Sequence, residues 1–166
     1  CCPPMYLKAV SAIPALMYAR RGDLLSVNLY GDSIAAFEVD GKRVVLEQST
    51  DYPWDGDVAI RVRAEEEARF TLRLRVPKWC RTAELFLEGD APRTAVGGEW
   101  FVVSRTWRGT ETLLIHLAMP LERVVADARV EADRGLVALR RGPVVYCLEG
   151  LDNEGRAEVT IPRTLN

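Results

Sequence analysis

The stretch Phe70-Thr-Leu-Arg-Leu-Arg-Val76 alternates strictly between apolar and polar residues. Successive side chains of a β-strand point to opposite faces of a sheet, so this stretch has one apolar face and one polar face. The apolar face consists of Phe70, Leu72, Leu74 and Val76, and the polar face of Thr71, Arg73 and Arg75. The pattern predicts a strand that is buried on one side only.

Similar short runs, rich in β-branched and aromatic residues, lie on both sides of this strand and are separated by turn-forming residues. They cover residues 25–30, 34–39, 44–48, 58–62, 83–87, 100–104, 112–117, 124–130, 136–140 and 144–148. Asp40-Gly41, between two of these runs, is the strongest hairpin signal in the chain. So many short strands predict a mainly β fold, an antiparallel sandwich or barrel rather than a βαβ fold, and we expect a jelly-roll-like β-sandwich.

The first 22 residues predict a helix that precedes the strands. Pro4 suits a first helical turn, and apolar residues then recur at steps of three and four. These residues are Met5, Ala9, Ile13, Leu16 and Met17. We expect Pro14 to kink or break the helix and a second short turn to close at Arg20-Arg21-Gly22. Because the helix is apolar nearly all round, we expect it to face a part of the protein that is missing.

The composition is that of an ordinary soluble domain. The chain has 166 residues, 48% hydrophobic and 28% charged, with a net charge of -2 and interleaved charges. We therefore expect no nucleic-acid partner, and no apolar run approaches the roughly 18 residues that span a bilayer. The chain opens without Met or a signal peptide, so we expect a piece of a longer protein. The four cysteines form no spaced disulfide framework, which favours reduced thiols and a cytoplasmic location.

The adjacent Cys1 and Cys2 are the sharpest chemical feature. Two thiolates on one short segment can share a soft metal ion such as zinc, although a structural zinc site needs about four ligands. A helix that starts directly after them presents unpaired N–H groups and the positive end of its dipole, which favour the thiolate form of a cysteine. A thiolate is a better nucleophile than a thiol. The alternative is that both are inert terminal cysteines.

A second candidate site lies in the segment Asp51-Tyr-Pro-Trp-Asp-Gly-Asp57. Its spacing does not fit the alternating oxygen ligands of a calcium loop, so a tight turn is the simplest interpretation. Trp54 on such a turn can cover the apolar face of a sugar ring, or can cap the end of the core. His116, the only histidine, lies within an apolar run, which favours a strand-face residue over a general base.

Five motifs, in this order, closely resemble the C-terminal half of glycoside hydrolase family 127. They are Cys1-Cys2-Pro3-Pro4, Val27-Asn-Leu-Tyr30, Asp51-Tyr-Pro-Trp-Asp-Gly56, Leu74-Arg-Val-Pro-Lys-Trp79 and Arg141-Gly-Pro-Val-Val-Tyr-Cys-Leu-Glu149. That family and its relative, family 146, include β-L-arabinofuranosidases. The resemblance extends from residue 1 to about residue 152.

The resemblance implies an (α/α)6 barrel followed by one or more β-sandwiches. It assigns Cys1 as the nucleophile and both Cys1 and Cys2 as zinc ligands, with a glutamate and a cysteine from upstream completing the zinc site. A separate upstream glutamate is the acid/base residue. These upstream residues have no counterpart in this chain, so we expect the chain alone neither to hold catalytic zinc nor to cleave glycosides.

Together these observations predict three segments and leave three functions open. Residues 1–22 would end a truncated catalytic barrel, residues 23–150 would form the sandwich, and residues 151–166 would lead to a further module. The chain is then part of a zinc-dependent glycosidase acting on an L-arabinofuranoside-type sugar. Alternatively it is a non-catalytic carbohydrate-binding module in which Trp54 or Trp107 stacks on sugars. A third possibility is a structural sandwich that supports the missing barrel or forms a homodimer interface.

Overall fold

The computed structural model describes residues 2–155. They belong to two compact units, one that ends at Ala118 and one that starts at Met119. The described part of the first unit consists of α1 (Cys2–Met17), β1 (Tyr18–Arg21), β2 (Leu24–Val27), β3 (Ser33–Val39), β4 (Lys42–Ser49), β5 (Asp57–Arg75), β6 (Ala83–Leu87), β7 (Arg93–Ala95) and β8 (Trp100–Leu117). That of the second consists of β9 (Leu121–Val124), a 3-10 helix (Glu131–Asp133), β10 (Ala138–Arg141) and β11 (Val144–Tyr146). The predicted mainly β fold with one N-terminal helix is confirmed.

Two long strands, β5 and β8, form the centre of the sheet in the first unit. They contain 19 and 18 residues and pair antiparallel along most of their length. The register shifts between Ala64 and Ala68, where residues 65–67 of β5 lie opposite only Arg108 of β8. Extra residues in one strand bend it and increase its twist, so this bulge divides the pair into two halves.

The two halves of β5 have different neighbours. The half before the bulge pairs antiparallel with β4, which pairs with β3. The half after the bulge pairs with β2, which pairs with β1, and the β2–β5 pairing is parallel. On its other side β8 pairs with β6, and β6 with β7. The described pairs of this sheet are therefore antiparallel, as predicted, apart from β2 with β5.

The inward side chains of both halves belong to one buried cluster. The half before the bulge contributes Val58, Ile60 and Val62, and the half after it contributes Phe70, Leu72 and Leu74. The alternation that predicts a strand buried on one side at residues 70–76 is thus observed. Layers that bury their inward faces against each other form a sandwich, so the predicted β-sandwich is also confirmed.

The predicted Asp40-Gly41 hairpin is confirmed as well. Val39 of β3 lies opposite Lys42 of β4, which leaves only these two residues in the turn. Both have positive φ angles, 52° and 73°, as a type I′ turn requires.

Helix α1 differs from its prediction. It continues to Met17 without interruption at Pro14, and residues 18–21 form β1 rather than a second helical turn. The break at Pro14 and the turn at Arg20-Arg21-Gly22 are therefore wrong. Pairing of β1 with β2 satisfies the backbone of these residues, which outweighs the local preference for a helix end. Within residues 2–155 no helix is both long and apolar enough to cross a membrane.

Several predicted strands also need correction. The strands predicted at 58–62 and 70–76 are both parts of β5, and those at 100–104 and 112–117 are parts of β8. The reason is that the bulge lets each strand continue through residues with weak strand preference. Residues 93–95 form a strand that was not predicted, and the strand predicted at 124–130 is wrong beyond Val124.

The second unit contains a three-stranded antiparallel sheet in the order β11, β10, β9. A two-residue turn, Gly142-Pro143, joins β10 to β11. Arg140 of β10 forms an ion pair with Glu122 of β9, with an N–O distance of 2.5 Å. Of the tail predicted over residues 151–166, the part from residue 156 onward lies outside the described residues. The boundaries predicted after residues 22 and 150 stay predictions.

Candidate functional site

Of the two adjacent cysteines, Cys2 begins α1. Cys1, the predicted nucleophile and zinc ligand, lies outside the described residues, whereas Cys2, the second predicted ligand, begins the helix and is exposed. Among residues 2–155 no three His, Cys, Asp or Glu side chains are grouped closely enough to hold a metal ion. The zinc site therefore stays a prediction, with Cys1 and Cys2 as the ligands that this chain would supply.

Helix α1 exposes apolar side chains in all directions. Tyr6 is 70% exposed and Leu7 67%, and Val10, Ile13 and Leu16 are also exposed. In α1 only Met17, the last residue, is buried. A helix that is apolar all round is stable in water only when other segments cover it, so α1 has the surface of an interior helix.

The other end of α1 is attached tightly to the sheet. Helix and strand β1 follow each other without a linker, because Met17 ends α1 and Tyr18 begins β1. The Asn28 side chain donates from Nδ2 to the carbonyl oxygen of Leu16 at 3.2 Å. The backbone N–H of Asn28 donates to the carbonyl oxygen of Met17 at 2.8 Å. Asn28 thus satisfies two carbonyl groups that a helix C-terminus leaves without intrahelical partners.

A buried polar cluster lies directly beside this junction. Gln48 is only 3% exposed, and its Nε2 donates to the Tyr18 hydroxyl at 2.8 Å and to the Leu29 carbonyl oxygen at 3.3 Å. Ser33 Oγ lies 2.8 Å from the same Tyr18 hydroxyl. Buried polar groups that bond to one another fix a single arrangement of the elements that carry them. The first residue after α1 is therefore held in place by β3, β4 and the β2–β3 loop.

The predicted tight turn at Asp51–Asp57 is observed, and it displays Trp54. The Trp54 N–H donates to the Asp51 carbonyl oxygen at 2.8 Å, and the Asp57 N–H donates to Asp55 Oδ1 at 2.9 Å. The Trp54 side chain is 69% exposed. It therefore does not cap the core, and an exposed indole on a hydrogen-bonded turn is available to a flat apolar ligand surface.

Aromatic rings support this turn from beneath. Tyr52 contacts Tyr30 edge-on and stacks on Trp79, with ring centroids 6.2 and 6.3 Å apart. The Tyr30 hydroxyl donates to the Arg75 carbonyl oxygen at 2.7 Å. Burial raises the pKa of Tyr30 well above its usual value, so the phenol stays protonated and keeps donating. Tyr52 therefore packs against rings whose positions are fixed. The turn that contains both Tyr52 and Trp54 is held in place by this packing.

The Trp54 turn and the end of α1 are linked through the β2–β3 loop. Asp32 Oδ1 in this loop accepts a hydrogen bond from the Thr50 N–H at 2.8 Å, and Thr50 Oγ1 donates to the Asp57 carbonyl oxygen at 2.6 Å. The same loop begins at Asn28, which contacts α1. Cys2 is at the opposite end of the helix, roughly 24 Å away along its axis at 1.5 Å per residue.

Trp107, the other tryptophan considered for sugar stacking, is fully buried. Its ring is 0% exposed and stacks on Phe70 with centroids 5.3 Å apart. Its Nε1 donates to the Phe70 carbonyl oxygen at 3.2 Å. The prediction that Trp107 could bind a sugar is wrong, because its ring is buried in the core against Phe70 and cannot reach a ligand.

A cluster that the sequence did not reveal lies on the outer face of the sheet. His116 Nδ1 lies 2.6 Å from Asp57 Oδ1, and Glu84 is the cross-strand neighbour of His116 on the other side. Both side chains are at least half exposed, so the contact is a solvated hydrogen bond of small energetic weight. His116 is a strand-face residue, as predicted. Its partner is 59 residues away in sequence, and only the β5–β8 register brings the two together.

Two family models match the chain. The model described as "Beta-L-arabinofuranosidase, GH127 middle domain" matches residues 24–119. The model described as "Glycoside hydrolase family 127 C-terminal domain" matches residues 121–165. Together they extend over every described strand except β1.

Individual relatives are similar over nearly the whole chain. The non-reducing end β-L-arabinofuranosidase of Bifidobacterium longum subsp. longum is 30% identical over 159 residues, 93% of this chain and 24% of that protein. A GH127 β-L-arabinofuranosidase from Geobacillus stearothermophilus T6 has a crystal structure with a TM-score of 0.80 at 39% identity, covering 93% of this chain and 25% of that one. A further structure, of a GH127 β-arabinofuranosidase, has a TM-score of 0.80 at 31% identity. It covers 92% of this chain and 26% of that one. The chain spans about a quarter of the length of these relatives.

Proposed function

Since the chain belongs to glycoside hydrolase family 127, we propose that it forms the C-terminal part of a retaining β-L-arabinofuranosidase. Helix α1 carries this proposal, because it begins at the cysteine pair, exposes apolar residues all round and is fixed to the sandwich at its other end. The remaining three quarters of the protein would cover α1 as part of an (α/α)6 barrel. The sandwich then serves as a support that holds the last barrel helix.

The cysteine pair fits the chemistry that retention requires. Cys1 attacks the anomeric carbon as a thiolate and forms a thioglycosyl bond while the glycosidic oxygen leaves. A glutamate from the upstream part protonates that oxygen, then removes a proton from the water that breaks the thioglycosyl bond. Cys1 and Cys2 supply two of the soft ligands that a zinc ion accepts. Zinc, when bound, keeps thiols deprotonated at neutral pH.

The proposal is tested by comparing the whole protein with residues 1–166 expressed alone. We expect the whole protein to hydrolyse a nitrophenyl β-L-arabinofuranoside with retention at the anomeric carbon, followed by proton NMR. Residues 1–166 should show no turnover and no tightly held zinc, because they contain only two zinc ligands and no upstream glutamate. Turnover by residues 1–166, or inversion by the whole protein, would contradict the assignment.

Trp54 is our proposed substrate-binding residue within this chain. For Trp54→Ala in the whole protein we expect KM for an arabinofuranosyl oligosaccharide long enough to reach the turn to rise roughly three- to tenfold, the equivalent of about 1 kcal/mol of aromatic stacking. KM for the nitrophenyl glycoside, which is too short to contact both Cys1 and Trp54, should stay unchanged. Because the indole is 69% exposed and remote from the reacting bond, kcat and thermal stability should stay unchanged. Initial rates over a range of substrate concentrations measure both constants.

Trp54→Phe is the matched control, because a smaller flat ring in the same place should restore most of the affinity. An unchanged KM for the oligosaccharide in Trp54→Ala would remove Trp54 from the site. The exposure of Trp54 also favours a second candidate function, a carbohydrate-binding module. That function would replace the enzymatic one if Trp54→Ala abolished sugar binding while Cys1→Ser changed nothing.

A further inference from the structure

The attachment of α1 to the sandwich acts over a long distance. Helix α1 contains 16 residues and is therefore roughly 24 Å long. Hydrogen bonds from Asn28 to the Leu16 and Met17 carbonyl oxygens join α1 to the sheet at the end of the helix opposite Cys2. At that length a tilt of about 5° moves the far end by roughly 2 Å. Small changes at the junction are therefore amplified at the cysteine pair.

The junction contains no segment that could absorb such a tilt. Strand β1 starts at the residue after the helix and pairs with β2 along its whole length. The Tyr18 hydroxyl is held by Gln48 and Ser33 on the strands behind it. Two features therefore set the direction of α1. One is the fixed position of Tyr18, and the other is the set of hydrogen bonds to the last carbonyl groups of the helix.

Asn28 makes the shorter of those contacts, and the Leu29 N–H adds a longer one at 3.4 Å from the Met17 carbonyl oxygen. The Asn28 backbone N–H fixes the position of the Met17 carbonyl group, and its side-chain amide fixes that of Leu16, one residue earlier in the helix. Two hydrogen bonds to successive carbonyl groups define an orientation as well as a position. Asn28 is half-buried, in contrast to the fully buried core beneath it, so its amide can be changed without removing core packing.

We propose that Asn28 is a positioning residue of the enzyme: it orients helix α1 and thereby places the cysteine pair against the substrate and the upstream zinc ligands. This inference rests on the proposed function, because it assumes that Cys1 and Cys2 act in the reaction. Misplacing a reacting group by about 1 Å can lower a rate by roughly 10²-fold. The covering barrel would restrain α1 in part, so we expect a smaller effect from Asn28 alone.

The test uses Asn28→Asp in the whole protein. Asp has nearly the same shape as Asn, but its carboxylate presents oxygen to the Leu16 carbonyl oxygen and cannot donate to it. We expect kcat for the arabinofuranoside to fall about tenfold while KM changes less than twofold. We also expect zinc to be lost to a competing chelator at a several-fold lower chelator concentration, and amide hydrogen exchange within α1 to accelerate.

Ser104→Ala is the matched control. It removes an exposed side-chain hydrogen bond to Thr71 on β5, in the same sheet but not in contact with α1. Its thermal stability should fall by a similar amount, while kcat and zinc retention stay at the wild-type level. The contrary result is that both variants lose kcat, each in proportion to its own loss of thermal stability. In that case Asn28 would have only a structural role.

Cys1→Ser, prepared in parallel, separates the two proposals. If Cys1→Ser is inactive and the wild type holds zinc, but Asn28→Asp matches the wild type in kcat and zinc retention, the positioning role is wrong and the proposed function stands. If Cys1→Ser is fully active, the proposed function fails, and the positioning role fails with it whatever Asn28→Asp shows. A loss of kcat and zinc retention in Asn28→Asp alongside an inactive Cys1→Ser supports both.

Discussion

Cys1→Ser in the whole protein should lower kcat for β-L-arabinofuranoside hydrolysis by about 10³-fold or more. A serine hydroxyl stays protonated at neutral pH and is a far weaker nucleophile than a thiolate, so the covalent step would fail. Substrate binding should change little, because binding contacts come from other groups. Single-turnover rates and the mass of the denatured enzyme measure the loss, since the wild type should accumulate a glycosyl adduct and the variant should not.

The matched control is Cys147→Ser. Cys147 is an exposed cysteine that belongs to the second unit. Its replacement should leave kcat, zinc content and stability unchanged. Cys2→Ser should lose zinc, as Cys1→Ser should, because each removes a proposed zinc ligand, but Cys2→Ser retains the Cys1 sulfur. An adduct that still forms in Cys1→Ser would show that another group is the nucleophile.

The strands with clear alternation could be predicted from the sequence because their signal is local. In residues 70–76 the period of two is set by the strand itself, and Leu72 and Leu74 are both fully buried as expected. The Asp40-Gly41 turn is equally local, since two residues with positive φ close the hairpin without help from distant segments. The resemblance to the family could also be found from the sequence, because each of the five motifs is a short contiguous stretch.

The features that could not be predicted depend on partners far away in sequence. Three glutamates at 65–67 argue locally for a break, yet β5 continues through them because β8 pairs on both sides of the bulge. Tyr18 continues a helical pattern but becomes a strand residue, because β2 and Gln48 supply its hydrogen bonds. Pairing energy from the finished sheet overrides a preference of a few tenths of a kcal/mol per residue.

The candidate site divides in the same way. The cysteine pair and Trp54 are visible in the sequence because unusual residue types stand in short motifs. Asn28 lies in the family motif Val27-Asn-Leu-Tyr30, but nothing in that motif points to its role, since the motif has the pattern of an ordinary strand and its partner Leu16 is 12 residues away. A contact between a loop side chain and a helix carbonyl group depends on the packed structure, and only the structure reveals it.

Trp107→Ala should destabilise the first unit by about 3–5 kcal/mol, a large part of the stability of a domain of this size. The indole is fully buried, stacks on Phe70 and donates to the Phe70 carbonyl oxygen. Its removal therefore leaves a cavity beside the bulge and a carbonyl group without its partner. Urea unfolding of residues 1–166, followed by far-ultraviolet circular dichroism, measures the change as a lower midpoint.

Two further variants separate burial from residue type. Trp54→Ala removes the same side chain from an exposed turn and should cost less than about 0.5 kcal/mol. Trp107→Phe keeps a ring against Phe70 but loses the indole N–H, so its cost should fall between the two. If Trp107→Ala were no more destabilising than Trp54→Ala, burial of the Trp107 ring against Phe70 would contribute nothing to stability. The large difference that we expect would instead follow from burial, since the two variants remove the same side chain.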